Sequence, residues 1–339
     1  MRTIDLSTTY MGIPVKNPII IGASNLVADI SGVQKAEEAG VGAIVYKSLF
    51  EEQIQLERLQ LEEHMDEYTE RHAEMITLFP KIEHAGPRDH LNKLKMAKES
   101  AGVPVIASLN AVNESTWTEY AKQIAQTGVD GLELNFYAVP ENFDKDAVQI
   151  EEEQVNILKQ VKNAVNIPVS VKLSSFYTNP LNVIKKFDEA GADAIIIFNR
   201  LFQPNIDIDK QEHVFPYNFS GENEDRTSLR FAGLLYGNVN ADIIANTGIF
   251  NGLDAAKMIL AGSDAVQVVS TIYKNGFSYL PKMLSELEYW MKSNNYASLE
   301  DFRGKLSNAE IKDAYIYKRA QYVDMLINSE QFFKKHLMV

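Results

Sequence analysis

Short apolar runs alternate along this chain with longer stretches in which apolar residues recur at helical spacing. One junction between the two appears four times: AGVGAIVYK from Ala39, TGVDGLELN from Thr127, AGADAIIIFN from Ala190 and AGSDAVQVVS from Ala261. In each, a small residue and Gly end a helix, because Gly tolerates the left-handed C-cap conformation, and an apolar, mostly β-branched run follows at once. A second junction follows Pro or a short polar turn, in VPVIASLN from Val103, IPVSVKL from Ile167 and NADIIANT from Asn240, and PIIIGAS opens the series at Pro18. The pattern predicts eight strands, near 18–23, 43–47, 104–109, 131–135, 168–172, 194–199, 243–246 and 265–269. Helices are predicted over 31–39, 115–126, 152–163, 180–189 and 252–260. Eight strands alternating with helices are the count of a (β/α)8 TIM barrel, whereas a doubly wound sheet usually has fewer and wants a Gly-rich first turn.

The expectation is therefore an α/β protein, one TIM-barrel domain over residues 1–339, with the barrel at about 17–290. Three segments exceed the minimal barrel. Residues 50–100 are long, acidic and partly helical, and residues 200–240 carry Gln, Asn, aromatics and the turn FSGENED. Both leave C-terminal strand ends, where barrels build lids and pockets, so long loops are expected at that face. Residues 298–339 read as a C-terminal helical extension whose aromatics, Tyr315, Tyr317, Tyr322, Phe332 and Phe333, cover the barrel or an oligomer contact.

Composition narrows the function classes. The chain has 339 residues, 45% hydrophobic and 23% charged, which supplies a large core. A net charge of -13 disfavours non-specific binding to nucleic acid or an anionic membrane. The absence of cysteine excludes disulfides, thiolate metal sites, cysteine-ligated iron–sulfur clusters and cysteine nucleophiles within the chain. The N-terminus lacks the charge and apolar pattern of a signal peptide, and no apolar run approaches the roughly 18 residues of a spanning helix. A cytoplasmic protein is expected. The six histidines form no H-E-x-x-H, and no G-x-G-x-x-G or P-loop follows a strand, so neither a metal nor a dinucleotide or ATP domain is indicated.

The candidate chemistry lies at the strand ends. Lys47, Asn110, Asn135, Lys172, Asn199 and Asn246 end six of the eight predicted strands and converge on one rim. A single strand-end Asn often serves only as a turn or cap residue, but this recurrence suits a flat heterocycle edged with carbonyls and N–H groups. Thr247-Gly248 and Val269-Ser270-Thr271 follow the last two strands, where barrels commonly hold phosphate.

Taken in order, NPIIIGAS, VYKSLFEEQ, LELN, VSVKL, Asn199, FSG and NTGI with NGLDAAKMILAGSDAVQVVSTIYKNG resemble the FMN-dependent dihydroorotate dehydrogenases. The likeness covers about residues 17–276 and continues more loosely through YASLEDFRGKL. It implies FMN as cofactor, with Ala23 and Ser24 along the flavin, Lys47 by the ring and the substrate, and Ser48 beside it. It places Lys172 near the pyrimidine side of the isoalloxazine, and Asn110 and Asn246 on the same cofactor rim. Asn135 and Asn199 match amides that hold a planar substrate, and Asn142 matches a third more loosely. Ser220-Gly221, Thr247-Gly248 and the turn Val269-Ser270-Thr271 match the surroundings of the ribityl phosphate, although the family usually has Gly-Thr where Val269-Ser270 stand.

The departures fall near the chemistry. Ala138 stands where the family has a Cys or Ser base, and Glu83 to Arg88 replace a segment bearing another substrate amide. Tyr137, adjoining Ala138, is the candidate acid or base if a nearby cation such as Lys47 eases loss of its proton, or else an aromatic lid, and His84 is a second candidate or a solvated loop residue. Two readings stand: an FMN-dependent oxidoreductase passing hydride between flavin and dihydroorotate or a relative, and a non-catalytic FMN- or phosphate-ligand-binding barrel that has lost its base. The resemblance is to the soluble, class 1-like members, the first strand beginning at Pro18, and it implies a small-molecule substrate and a homo-oligomer, a dimer by default.

Overall fold

A computed structural model of the protein describes residues 4–56, 86–137, 143–215 and 219–329. The strands, in chain order, are β1 (Thr8–Tyr10), β2 (Ile13–Val15), β3 (Ile19–Ile21), β4 (Ala43–Val45), β5 (Leu49–Phe50), β6 (Val105–Asn110) and β7 (Gly131–Asn135). They continue with β8 (Val169–Leu173), β9 (Ala194–Ile197), β10 (Asn205–Asp207), β11 (Glu212–Val214), β12 (Asp242–Asn246) and β13 (Ala265–Val268). Parallel pairings run from β3 through β4, β6, β7, β8, β9, β12 and β13 and back to β3, closing a ring of eight. These are the eight strands predicted, and helices separate them in the (β/α)8 order.

Side chains on successive strand positions point to opposite faces, and that alternation divides the core in two. Ile19 and Ile21 pack outward with the helices, while Ile20 points into the ring with Ala43, Val45, Ile106, Ala194, Ile196, Ile244 and Ala265. The antiparallel hairpin of β1 and β2, unforeseen in the sequence, inserts Tyr10, Met11 and Val15 among these inward residues. It plugs the N-terminal end of the barrel.

Helix boundaries differ from the prediction where capping intervenes. The helix Ala147–Ala164 begins before the predicted 152, because Asp146 accepts from the Gln149 amide while the Gln149 side chain accepts from the Asp146 amide. The helix Pro87–Ser100 lies inside the segment read as partly helical, and the second long segment holds the hairpin β10–β11 and the helix Asp225–Leu235. Among the described residues no helix is long and apolar enough to cross a membrane.

The C-terminal extension is less helical than expected. After the helix Leu280–Ser293, residues 298–310 are mainly turns, and the α-helix resumes only at Arg319–Ile327. The reason is where the backbone donors go: Gly304 N–H donates to Ile259 O at 2.9 Å and Leu306 N–H to Leu260 O at 2.9 Å, satisfying the C-terminal carbonyls of the helix Gly252–Ala261. Tyr317 covers the barrel as foreseen, donating to Leu306 O at 2.6 Å and lying against Gly233, where an added methyl would sit 2.0 Å from its hydroxyl. Tyr315 donates to Ala320 O, whereas Tyr322 is exposed. Phe332 and Phe333 lie outside the described residues.

The segment leaving β5 is anchored by Glu51, which is 2% exposed. Its carboxylate accepts from the Val112 amide, the Asn113 side chain and the Thr116 hydroxyl at 3.1, 2.8 and 3.1 Å, at the start of the helix Glu114–Ala125. Burial by itself would raise this carboxyl, but the hydrogen bonds from Asn113, Val112, Gln55 and Thr116 outweigh it and hold the group below its ordinary value. A depressed carboxyl contributes stability at neutral pH that is lost as pH falls through its folded value. Glu51→Ala is expected to cost about 2 kcal/mol in urea unfolding at pH 7, and less in acid; an unchanged midpoint at pH 7 would show the anchor to be idle.

Candidate active site

The same alternation that fills the barrel with apolar side chains brings polar ones to its C-terminal end. Ser108 and Asn110, Glu133 and Asn135, Ser170 and Lys172, Asn246, and Gln267 all share inward parity with the apolar residues below them. Register sets Asn135 beside Lys172 and Asn246 beside Gln267 across neighbouring strands.

Lys172 is the charge at the centre. It is 5% exposed, donates to Gln267 Oε1 at 3.1 Å and stands 3.7 Å from Glu133 Oε1. Glu133 is fully buried, and its Oε2 accepts from Gln267 Nε2 at 2.6 Å and from the Tyr10 hydroxyl at 3.4 Å. Burial first, and the Glu133 charge second, push the Tyr10 hydroxyl far above its ordinary range, so it stays a proton donor.

Lys172 opens on a cleft over the ends of β3, β8, β9, β12 and β13. Of the residues expected at the cofactor, Ala23, Ser24, Lys172, Asn199, Ser220, Asn246, Thr247, Gly248, Val269 and Ser270 line it. Arg200, Phe202, Phe219, Ile249, Gln267 and Val268 complete the lining. Gln267 was legible in AGSDAVQVVS only through the inward parity of its strand, which one sequence does not reveal.

The backbone at this cleft is built for close approach. Gly248 has φ +78°, and a methyl added there would lie 2.3 Å from the Asp225 nitrogen. Thr247, at φ 72°, is held by its hydroxyl donating to Phe198 O at 3.0 Å. The Ser220 amide donates to Ser270 Oγ at 3.1 Å, and Lys274 Nζ donates to Ser220 O at 3.1 Å, so the 219–221 turn is strapped to the residues after β13. Ser24 Oγ lines the cleft, buried and without a hydrogen-bond partner. Close backbone, hydroxyls and a buried cation fit a phosphorylated, ring-bearing cofactor such as FMN.

Not every expected residue lies on this cleft. The Thr271 hydroxyl is buried and donates to Phe250 O at 3.0 Å, and the Gly221 amide donates to Glu224 Oε1 at 2.9 Å, so both serve the turns rather than face the cleft. Asn110 and Asn135, outside the lining, form a chain along the rim with Asn199, which belongs to it: Asn110 Nδ2 donates to Asn135 O at 3.1 Å and Asn199 Nδ2 to Asn135 Oδ1 at 2.6 Å. Ser48 and Ser108 share a buried hydroxyl bond of 2.8 Å beside them. The Tyr137 hydroxyl accepts from the Phe202 amide at 2.9 Å, which ties the loop after β7 to the cleft lining after β9. Ala138, Asn142 and His84 lie outside the described residues.

Lys47 is half-buried at the end of β4, and its charge acts on a residue that the sequence did not single out, His90. The His90 ring meets the Tyr46 ring edge-on, with centroids 5.5 Å apart.

Comparison with known proteins adds the relatives. Residues 71–291 match the family described as Dihydroorotate dehydrogenase. The chain is 27% identical over 311 residues to the dihydroorotate dehydrogenase B (NAD(+)) catalytic subunit of Thermoplasma volcanium, covering 88% of this chain and 98% of that protein. It is 26% identical over 322 residues to the protein of the same name in Methanocaldococcus jannaschii, covering 88% and 97%. To the NAD-dependent dihydropyrimidine dehydrogenase subunit PreA of Escherichia coli K12 it is 25% identical over 351 residues, covering 98% and 84%.

Burial first, then the Lys47 charge, lower the His90 imidazole from 6.5 to about 4. A histidine depressed in the folded state stabilises the fold above its unfolded value and loses that contribution as pH falls towards the folded one. Stability should therefore fall between about pH 6.5 and 4, by on the order of 3 kcal/mol from this group. His90→Phe, which keeps the ring against Tyr46, is expected to flatten that part of the acid limb in urea unfolding at stepped pH; an unaltered slope would assign the acid sensitivity elsewhere.

Proposed function

The chain belongs to the dihydroorotate dehydrogenase family, and from that premise we propose that it is an FMN-dependent oxidoreductase acting on a CH–CH bond of a flat, carbonyl-rich ring, dihydroorotate or a relative. The observation that carries the reading is Lys172, a buried ammonium on the floor of a cleft whose other lining suits a phosphorylated cofactor. FMN bound in such a cleft supplies the chemistry, hydride uptake and release.

The chain's own residues do the rest in this reading. Lys172 stabilises the negative charge that builds in the cleft on reduction, and it is worth most where water is excluded. Gly248, Val269, Ser270 and Ser220 hold the phosphate end, and Ser24 turns its unpaired hydroxyl to the cofactor. Lys47, Asn135 and Asn199, with Asn142, orient the ring of the substrate by its carbonyls and N–H groups. The Tyr137 hydroxyl accepts from the Phe202 amide, so its own O–H is turned to donate to the substrate, the acid role in this reading. Family relatives named as subunits support a further part of the reading: this chain works together with a second protein.

Ala138 favours a second reading. At the position where the family carries its base, alanine can neither accept nor give a proton, which suits a barrel that binds FMN or another phosphate ligand without turnover.

One experiment separates the two. The purified protein is expected to be yellow, and anaerobic titration with dihydroorotate, and with a neutral dihydropyrimidine, is expected to bleach the flavin band with one of them. Lys172→Ala should weaken FMN binding by tenfold or more, about 1.4 kcal/mol. A colourless protein that cannot be reconstituted with FMN sinks the oxidoreductase reading, and a yellow protein that no reductant of this class bleaches leaves the non-catalytic one.

A further inference from the structure

At and below the cleft floor lie three polar side chains that the proposed chemistry leaves unused, Gln267 in the lining and Tyr10 and Glu133 beneath it. All three are buried to 1% exposure or less, and each is hydrogen-bonded to the other two. The geometry fixes the Gln267 amide one way round: its nitrogen donates to Glu133 Oε2 at 2.6 Å and to the Tyr10 hydroxyl oxygen at 3.1 Å, which leaves its oxygen for Lys172 at 3.1 Å. Glu133 Oε1 has no hydrogen-bond partner and faces the Lys172 ammonium at 3.7 Å.

A buried carboxylate with a vacant oxygen is costly unless a charge repays it, and here the charge is the one on the cleft floor. We propose that Glu133 is a positioning residue for Lys172, holding its ammonium at the cleft floor across the ion pair and through the Gln267 amide, with Tyr10 bracing the carboxylate from the closed end of the barrel. The inference rests on the flavin reading above, because the charge it places is the one that favours reduced flavin.

A pair kept only for packing would lower stability when broken and leave the preference for reduced flavin alone. A positioning pair changes that preference, and changes it only while Lys172 is present. The experiment is a double-mutant cycle on the holoenzyme, reading FMN affinity in the oxidised and reduced states. Glu133→Gln is expected to lower the ratio of reduced to oxidised affinity by about tenfold, or about 30 mV for a two-electron couple. It should leave the ratio unmoved in the Lys172→Met background, and Glu133→Asp should recover most of the loss.

A ratio that Glu133→Gln leaves unchanged or raises overturns the proposal, because simple removal of a negative charge near the flavin would favour the reduced form. So does a fall that persists in the Lys172→Met background. Should Glu133→Gln fail to fold, Gln267→Met carries the same cycle with the same two outcomes. Failure of the flavin reading shows separately, as wild-type protein that takes up no FMN, and takes this inference with it.

Discussion

A charged lysine held almost out of water organises the upper half of this barrel. An isolated ammonium at that depth would be unstable, and the structure meets the cost with neighbours on three other strands: Gln267 on β13, Glu133 on β7 and, through them, Tyr10 on β1. Because these partners come from both ends of the chain, the site exists only once the ring has closed between β13 and β3. Ring closure and the electrostatics of the cleft are thus one event.

The lower half answers to a different constraint. There the inward positions are Ile, Val and Ala, and they leave room at the N-terminal end that the hairpin of β1 and β2 fills with Tyr10, Met11 and Val15. Tyr10 belongs to both halves, its ring among the apolar residues and its hydroxyl on Glu133. The apolar core therefore fixes the height at which the polar layer begins.

Much of this was legible in the sequence, for a physical reason. Helix-to-strand junctions such as AGADAIIIFN combine a C-cap glycine with a β-branched run, both local signals, so the eight strands and the family likeness could be read directly. The strand-end residues Lys172, Asn199 and Thr247 followed from the strands. The sequence was silent where partners are distant: nothing local marks Gln267 or Glu133 as contacts of Lys172, or His90 as a neighbour of Lys47, since 95 residues separate Lys172 from Gln267. The C-terminal segment misled for the complementary reason. Its composition suits a helix, but its amides at Gly304 and Leu306 are taken by Ile259 and Leu260.

That last contact reaches further than its position suggests. The carbonyls it satisfies end the helix Gly252–Ala261, whose next strand is β13, the bearer of Gln267 and Val268 and the strand that leads into the cleft residue Val269. Arg303, beside it, donates to Ser263 O at 2.9 Å and pairs with Asp264 at 3.0 Å in the short link between that helix and the strand. The stretch around 303–306 thus works as a clasp at the N-terminal end of β13, the opposite end of the strand from the cleft. Changes of sequence there would be felt as altered seating of β13, so that variation at one end of the barrel has a direct mechanical route to the cleft at the other.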